Sequence, residues 1–208
     1  MQKITSIEPQ KRRGRYNIFL DGDFAFGADK ETIYTFGLRK NDELTENKIN
    51  EIKEYDEFNF GKKIAYRFLN YKPRTEKEII KKLKEYKISV KSTEKIISAL
   101  KDLKYIDDNQ FAKLYLEEKL ANNPKGKRLI AIKLAEKGIN KDIINNVIES
   151  RYSEEKEFEK AKELLQKYLK KVRAKSETDK KQKCFRYLLS KGFDYEIVKS
   201  ACEIENTE

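Results

Sequence analysis

The chain has 208 residues, 38% apolar and 40% charged, with 47 Lys and Arg against 36 Asp and Glu and no histidine. Its 11 Phe and 12 Tyr suffice for a core, but so much charged surface per unit of core favours an elongated molecule over a compact globule. The net charge of +11 directs attention to a polyanion or an acidic partner surface; two cysteines are too few for a disulfide scaffold, no run approaches a membrane span, and MQKITSIEPQ lacks the apolar core of a signal peptide, so a cytoplasmic protein is expected.

Up to about residue 57 the pattern is that of a small sheet. KITSIEP and RYNIFLDGDFAFGA alternate with period two, placing Tyr16, Ile18 and Leu20 opposite Phe24 and Phe26 across the turn formers Asp21-Gly22-Asp23. Two or three antiparallel strands are expected. Glu31 to Leu38 is compatible with a short helix or a further strand, and LTENKINEIKEYDEF reads as a helix.

Beyond residue 58 the period is helical almost throughout, and the chain repeats. Aligning KKLKEYKI, IKLAEKGI and RYLLSKGF superposes Leu83, Leu134 and Leu188. Each block follows a helix with an apolar stripe: Ile64, Ala65, Phe68 and Leu69; Phe111, Ala112, Tyr115 and Leu116; Ala161, Leu164, Leu165 and Tyr168. Each precedes a shorter one, at Ile96, Ile97 and Leu100, at Ile143, Ile144 and Val147, and at Ile197, Val198 and Ala201. Start and stop signals agree: Thr75 with Glu78 forms a capping box, Asp107 with Gln110 suggests another, Asn140 and Asp194 are N-caps, and Gly138 and Gly192 are helix stops for which the first unit substitutes Lys87. Such units are too small to bury their own faces and must stack. The fold class is therefore mainly α, three tandem three-helix units in an elongated curved array, preceded by a small N-terminal β/α segment. The expected boundaries are 1–57 for that segment and 58–107, 108–152 and 153–208 for the units.

Most of the positive charge belongs to the first unit, where residues 61–107 carry 14 Lys/Arg against 6 Asp/Glu, whereas residues 1–60 carry 10 against 12. On a helix, Arg74, Lys77, Lys81 and Lys84 fall within about 80° of one another, opposite Ile79, Leu83 and Tyr86. This is a binding face for an anionic surface, or a solvated lysine face. Pro73 and Pro124 are placed at helix starts, where a missing N–H costs nothing. The cations beside them, Arg74 in one case and Lys125, Lys127 and Arg128 in the other, are disfavoured by the helix dipole unless an anion is near. A DNA phosphate and a partner carboxylate both satisfy that requirement. Arg67 and Lys72 extend the patch, and Tyr66 and Tyr71 beside them offer rings for base stacking, although core spacing is the simpler reading.

The remaining residues point away from chemistry. Asp107-Asp108 reads as capping, with no histidine or third carboxylate at a metal spacing. Cys184 and Cys202 lie on apolar stripes, and the eight scattered glycines form no phosphate loop. No catalytic residue, cofactor or metal is expected, and no enzyme.

The combination of YRFLNYKPRTEKEIIKKL, YIDDNQFAKLYL, NPKGKRLIAIKLAEKGI and IINNVIES resembles the RecX family, over roughly residues 58–205 and most specifically across the first two units. The third unit departs, having AKSETDKKQKCF where a Pro-basic helix start would stand. The resemblance implies a tandem array of three-helix units, no catalytic centre, and binding in the groove of a RecA filament formed on DNA, with regulation of recombination and repair. A monomer partnered by the RecA filament is expected, with single- or double-stranded DNA as the other ligand that the basic face suits. The competing reading is direct DNA binding by helix-turn-helix modules. Against it, TEKEIIKKLKEY offers lysines and glutamates where recognition helices offer Arg, Asn or Gln to base edges.

Overall fold

The computed structural model describes residues 1–11 and 13–204; the last four residues of the expected third unit lie outside them. The chain divides into two compact bodies, one of Met1–Pro73 with Ile79–Ile106, the other of Arg74–Glu78 with Asp107 onward.

The first body opens with strands β1 (Gln2–Pro9), β2 (Arg15–Leu20) and β3 (Asp23–Asp29), helix α1 (Lys30–Phe36), a two-residue strand β4 (Glu43–Leu44) and the 24-residue helix α2 (Glu46–Leu69). The sheet has four antiparallel strands in the order β3-β2-β1-β4, one more than the pattern of alternation suggested. β4 is too short to show a period. Asp21 and Gly22 alone form the β2–β3 turn, both at positive φ (50° and 96°), as a tight hairpin turn that matches strand twist requires; Asp23 already belongs to β3. Ile18 pairs with Phe26 as expected, but a register shift after Ile18 sets Phe24 opposite Phe19. Phe24 is therefore exposed rather than part of the core. Lys30–Phe36 resolves as a helix, stopped by Gly37 at φ 60°.

Thr45 caps α2 by accepting from the Lys48 amide. Its first half buries Ile49 and Ile52 against Ile4, Ile18, Leu20, Phe26 and Ala28 of the sheet. Its second half buries Ile64 and Ala65 against Ile79, Leu83, Ile96 and Leu100. The expected boundary between residues 57 and 58 thus falls inside one unbroken helix, because the sheet and the first unit share it as a wall. The carboxylate of Asp56, buried at the midpoint, accepts from the Asp29 amide (2.7 Å), Thr32 Oγ1 (2.8 Å) and Arg15 Nη2 (2.9 Å). A buried charge so fully hydrogen-bonded fixes the sheet on the helix.

Three three-helix units follow. The second half of α2 is joined by α3 (Glu76–Glu85) and α4 (Val90–Asp102); then come α5 (Asp108–Asn122), α6 (Lys127–Glu136) and α7 (Lys141–Arg151); then α8 (Glu154–Leu169), α9 (Glu177–Ser190) and α10 (Tyr195–Ile204). Leu83, Leu134 and Leu188, the residues that align the repeats, are each completely buried, in three successive cores. The Thr75–Glu78 capping box forms in both directions, and Asp107 and Asn140 accept from the Gln110 and Asp142 amides. Cys184 is buried in the third core and Cys202 half-buried against it.

Candidate interaction surface

The second compact body contains both junctions at which one unit's second helix begins against the end of another's. Thr75, the N-cap of α3, donates through Oγ1 to the Lys137 carbonyl at the end of α6 (2.8 Å). Beside it Lys77 Nζ donates to the Glu136 carbonyl (3.2 Å) and Lys137 Nζ pairs with Glu78 (2.8 Å). Burial pushes the Glu78 carboxyl up, but the Lys137 ammonium, the Thr75 amide and the Arg74 charge outweigh it and hold the group below its ordinary range. One repeat on, the Gly126 amide, at the N-cap of α6, donates to the Lys191 carbonyl at the end of α9 (3.0 Å). In both cases a positive helix start meets a negative helix end, and orphan carbonyls are satisfied.

The same geometry answers which anion offsets the cations at these helix starts. The Glu76 amide, first in α3, donates to Asp108 Oδ1 (3.1 Å), and the Lys127 amide, first in α6, donates to Glu157 Oε1 (2.9 Å). Both carboxylates come from the opening turns of the next unit's first helix. Glu157 is buried to 1% exposure and also faces Lys127 Nζ at 3.5 Å. Burial pushes its carboxyl above the ordinary range against the pull of Lys127. Neither DNA nor a partner is needed to explain why cations stand there. The prolines also need a correction: Pro73 and Pro124 precede the caps Thr75 and Gly126, in the lead-in rather than the first turn.

The expected basic face accordingly divides. Arg74 is half-buried ahead of α3, and Lys77, although exposed, has its ammonium on Glu136 and its stem against Gly138. Lys81 and Lys84 are exposed on α3, Arg67 is exposed on the last turn of α2, and Lys72 is exposed in the α2–α3 loop. These four share the first body. Arg128 is exposed on α6, while Lys125 and Lys127 are half-buried, Lys127 being held by Glu157. Of the residues expected on the dry side of α3, Ile79 and Leu83 are fully buried, but Tyr86 is exposed, its ring edge-on to Phe60. Tyr71 is exposed, whereas Tyr66 lies edge-on to Tyr105 at 5.3 Å.

Sequence reasoning missed Asp108 as a cap on another helix, Glu157, Lys137 and Lys191. Their partners lie 30 or more residues away, and only the repeat register, which sets 75 beside 126 and 137 beside 191, hinted at them. Among the described residues no group of three or more Cys, Asp or Glu side chains is placed to hold a metal ion, and no helix is long and apolar enough to cross a membrane.

Family models match four consecutive segments in chain order: the regulatory protein RecX N-terminal domain at residues 2–45, and the first, second and third RecX three-helix domains at 62–100, 107–148 and 154–202. The chain belongs to the RecX family. Regulatory protein RecX of Leuconostoc mesenteroides is 36% identical over all of this chain and 78% of its own length, and that of Listeria welshimeri is 38% identical over 96% and 74%. A crystal structure of regulatory protein RecX matches with a TM-score of 0.68 at 31% identity, over 98% of this chain and all of that one. A crystal structure of RecX from Lactobacillus salivarius matches at 0.67 and 28%, over 74% and 99%. RecX membership extends the resemblance noted at residues 58–205 to the N-terminal sheet, and establishes a regulatory role.

Proposed function

We propose that this RecX protein regulates by binding the RecA filament on DNA and lowering recombinase activity, as a cytoplasmic monomer without chemistry of its own. The observation that carries the reading is the match of all four RecX segments in order along the chain. The exposed cations Arg67, Lys72, Lys81 and Lys84 supply the surface for an acidic filament wall or for the DNA within it. Their charge is available, whereas Lys77 and Lys127 are engaged inside the second body. Direct readout by a helix-turn-helix is less well supported. A recognition helix presents its first turn to base edges, and here the first turns of α3 and α6 are occupied by Asp108 and Glu157.

The test is DNA-stimulated ATP hydrolysis by RecA, titrated with the parent and with a variant carrying Arg67→Glu, Lys72→Glu, Lys81→Glu and Lys84→Glu. These positions avoid Arg74 and Lys77, so the junction is untouched and the variant should remain folded. Inhibition at well below one molecule per RecA subunit is expected for the parent, and at least a tenfold loss for the variant, which needs only about 1.4 kcal/mol. Unchanged inhibition by a folded variant would overturn the assignment of this surface. Loss of sequence-specific binding to bare DNA instead would favour the helix-turn-helix reading.

A further inference from the structure

The two cysteines of the chain come from different helices and line one cavity. Cys184 of α9 and Cys202 of α10 both border a space of about 100 Å³ within the third unit, walled by Leu165 and Leu169 of α8 on one side and by Glu177, Lys180 and Lys181 of α9 on another. The α9–α10 connection accounts for the meeting. Cys184 stands six residues before Ser190, the last of α9, and Cys202 seven after Tyr195, the first of α10. Each therefore lies about 10 Å along its own helix from the same turn. Both side chains belong to one core: Cys184 is buried in it, and Cys202, half-buried, packs against it. Both are present as thiols, not bridged.

In a close-packed core a thiol is inert filler. Here the cavity changes its situation. A space of this size admits several molecules as small as water, and its charged wall allows it to be wet. Hydrogen peroxide, little larger than water, can therefore reach the half-buried Cys202. The attacking species is the thiolate, which neighbouring ammonium groups favour. Lys180 and Lys181 place two on the cavity wall, one of them partly offset by Glu177 at 3.7 Å. The same space lets a sulfur turn about its Cα–Cβ bond without displacing a neighbour. We propose that Cys202 and Cys184 form a peroxide-oxidised thiol pair, Cys202 attacking and Cys184 resolving, whose product is a disulfide that joins α9 to α10. In the first step the Cys202 thiolate attacks one peroxide oxygen; an S–O bond forms, the O–O bond breaks, and the departing hydroxide takes up a proton as water. Sulfur is oxidised to the sulfenic acid and peroxide is reduced. In the second step the Cys184 sulfur attacks that of Cys202; the S–S bond forms, the S–O bond breaks, and the hydroxide leaves with the Cys184 proton as a second water. With no third cysteine in the chain, Cys184 is the one thiol within the molecule that can resolve the sulfenic acid.

The experiment treats the reduced, folded, full-length protein with hydrogen peroxide, quenches with a thiol-alkylating reagent, digests with trypsin without reduction, and maps the peptides by mass spectrometry. Cleavage after Lys183, Arg186 and Lys199 puts Cys184 on a tripeptide and Cys202 on the C-terminal peptide. The expected result is a species in which these two peptides are joined, lighter than their sum by two hydrogen atoms and separated again by dithiothreitol, with the protein monomeric on a non-reducing gel. Variants assign the roles. In Cys184→Ala, Cys202 should be trapped by dimedone as the sulfenic acid; in Cys202→Ala, Cys184 should remain an alkylatable thiol under the same treatment. Circular dichroism checks that each variant is folded, and the peptide map of the parent decides the bridge without either of them. Both thiols still alkylated in the peroxide-treated parent, a bridge found only between two copies, or one that forms only in guanidinium overturns the proposal. Dimedone trapping of Cys184 rather than Cys202 overturns the assignment of attacker and resolver. The proposal does not rest on the filament reading, and with neither RecA nor DNA in the assay the two fail separately.

Discussion

The two junctions in the second body occupy the same place in the repeat and are built from different material. At the start of α3 the contact is made by side chains: the Thr75 hydroxyl, the Lys77 ammonium and the Glu78–Lys137 pair. At the start of α6 it is backbone on backbone, Gly126 amide to Lys191 carbonyl, with Gly192 against Leu129. The repeat therefore conserves a requirement, that a helix start satisfy a helix end, without conserving the atoms that meet it. A side-chain junction tolerates adjustment because its atoms lie at the ends of rotatable bonds. A backbone junction has no such reserve.

The sharpest way to break this contrast is at Gly126. Replacement by Ala would set a methyl 2.1 Å from the Gly192 carbonyl oxygen and 2.2 Å from the Phe193 nitrogen, neither of which can rotate aside. The expected cost is about 3 kcal/mol, at the upper end for overpacking, or a midpoint lowered by roughly 6–12 °C in calorimetry. A loss under 1 kcal/mol would show that the backbones separate easily and that the two junctions do not differ in kind.

At the equivalent position, Thr75→Ala removes the bond to the Lys137 carbonyl and the cap on the Glu78 amide but creates no clash. About 1–2 kcal/mol is expected, with Thr75→Ser recovering most of it because the hydroxyl does the work. If Ser is no better than Ala, the methyl packing of the fully buried Thr75 outweighs the hydroxyl.

How far these differences could be read from sequence depends on how local their causes are. The alignment at Leu83, Leu134 and Leu188 was legible because helical periodicity and caps lie within a few residues of one another, and so was the hairpin around Gly22. The short strand β4 and the continuity of α2 were not. The first carries no period, and the second passes between two cores, each of which explains only half of its stripe. How the expected basic residues divide was not legible for a similar reason: helical angles are local, but whether a lysine has a partner within the chain depends on acceptors such as the Glu136 carbonyl and Glu157, which are 59 and 30 residues from Lys77 and Lys127.

Glu157 gives the third test. Glu157→Gln keeps an oxygen to accept from the Lys127 amide while removing a buried charge, so stability at neutral pH should change by no more than about 1 kcal/mol in either direction. The pH response is more informative. Because burial raises the folded-state value above the ordinary 4.5, the folded protein takes up this proton first. The parent should therefore gain stability relative to the Gln variant as pH falls from the raised value to 4.5, and the difference should be lost as pH rises back through that value. Parallel midpoint curves for the two proteins across that range would show that Lys127 compensates the buried charge fully.

The smallest effect concerns the helix ends themselves. Lys87, Gly138 and Gly192 occupy one repeat position and all adopt the left-handed conformation, at φ 59°, 88° and 83°. The conformation alone does not demand glycine, since Lys87 adopts it at a modest energetic cost. What distinguishes the two glycines is contact: a Cβ on Gly138 would stand 2.5 Å from Lys77 Cβ, and one on Gly192 2.5 Å from the Leu129 amide nitrogen. Lys87 is exposed. Lys87→Gly should therefore stabilise the protein by about 0.5 kcal/mol, the left-handed strain relieved less the extra backbone entropy of glycine. Gly138→Ala should destabilise by more than this, because it combines the strain with a clash. If Gly138→Ala costs no more than Lys87→Gly gains, conformation rather than contact explains the glycines, and the junctions impose no steric requirement of their own at the helix ends.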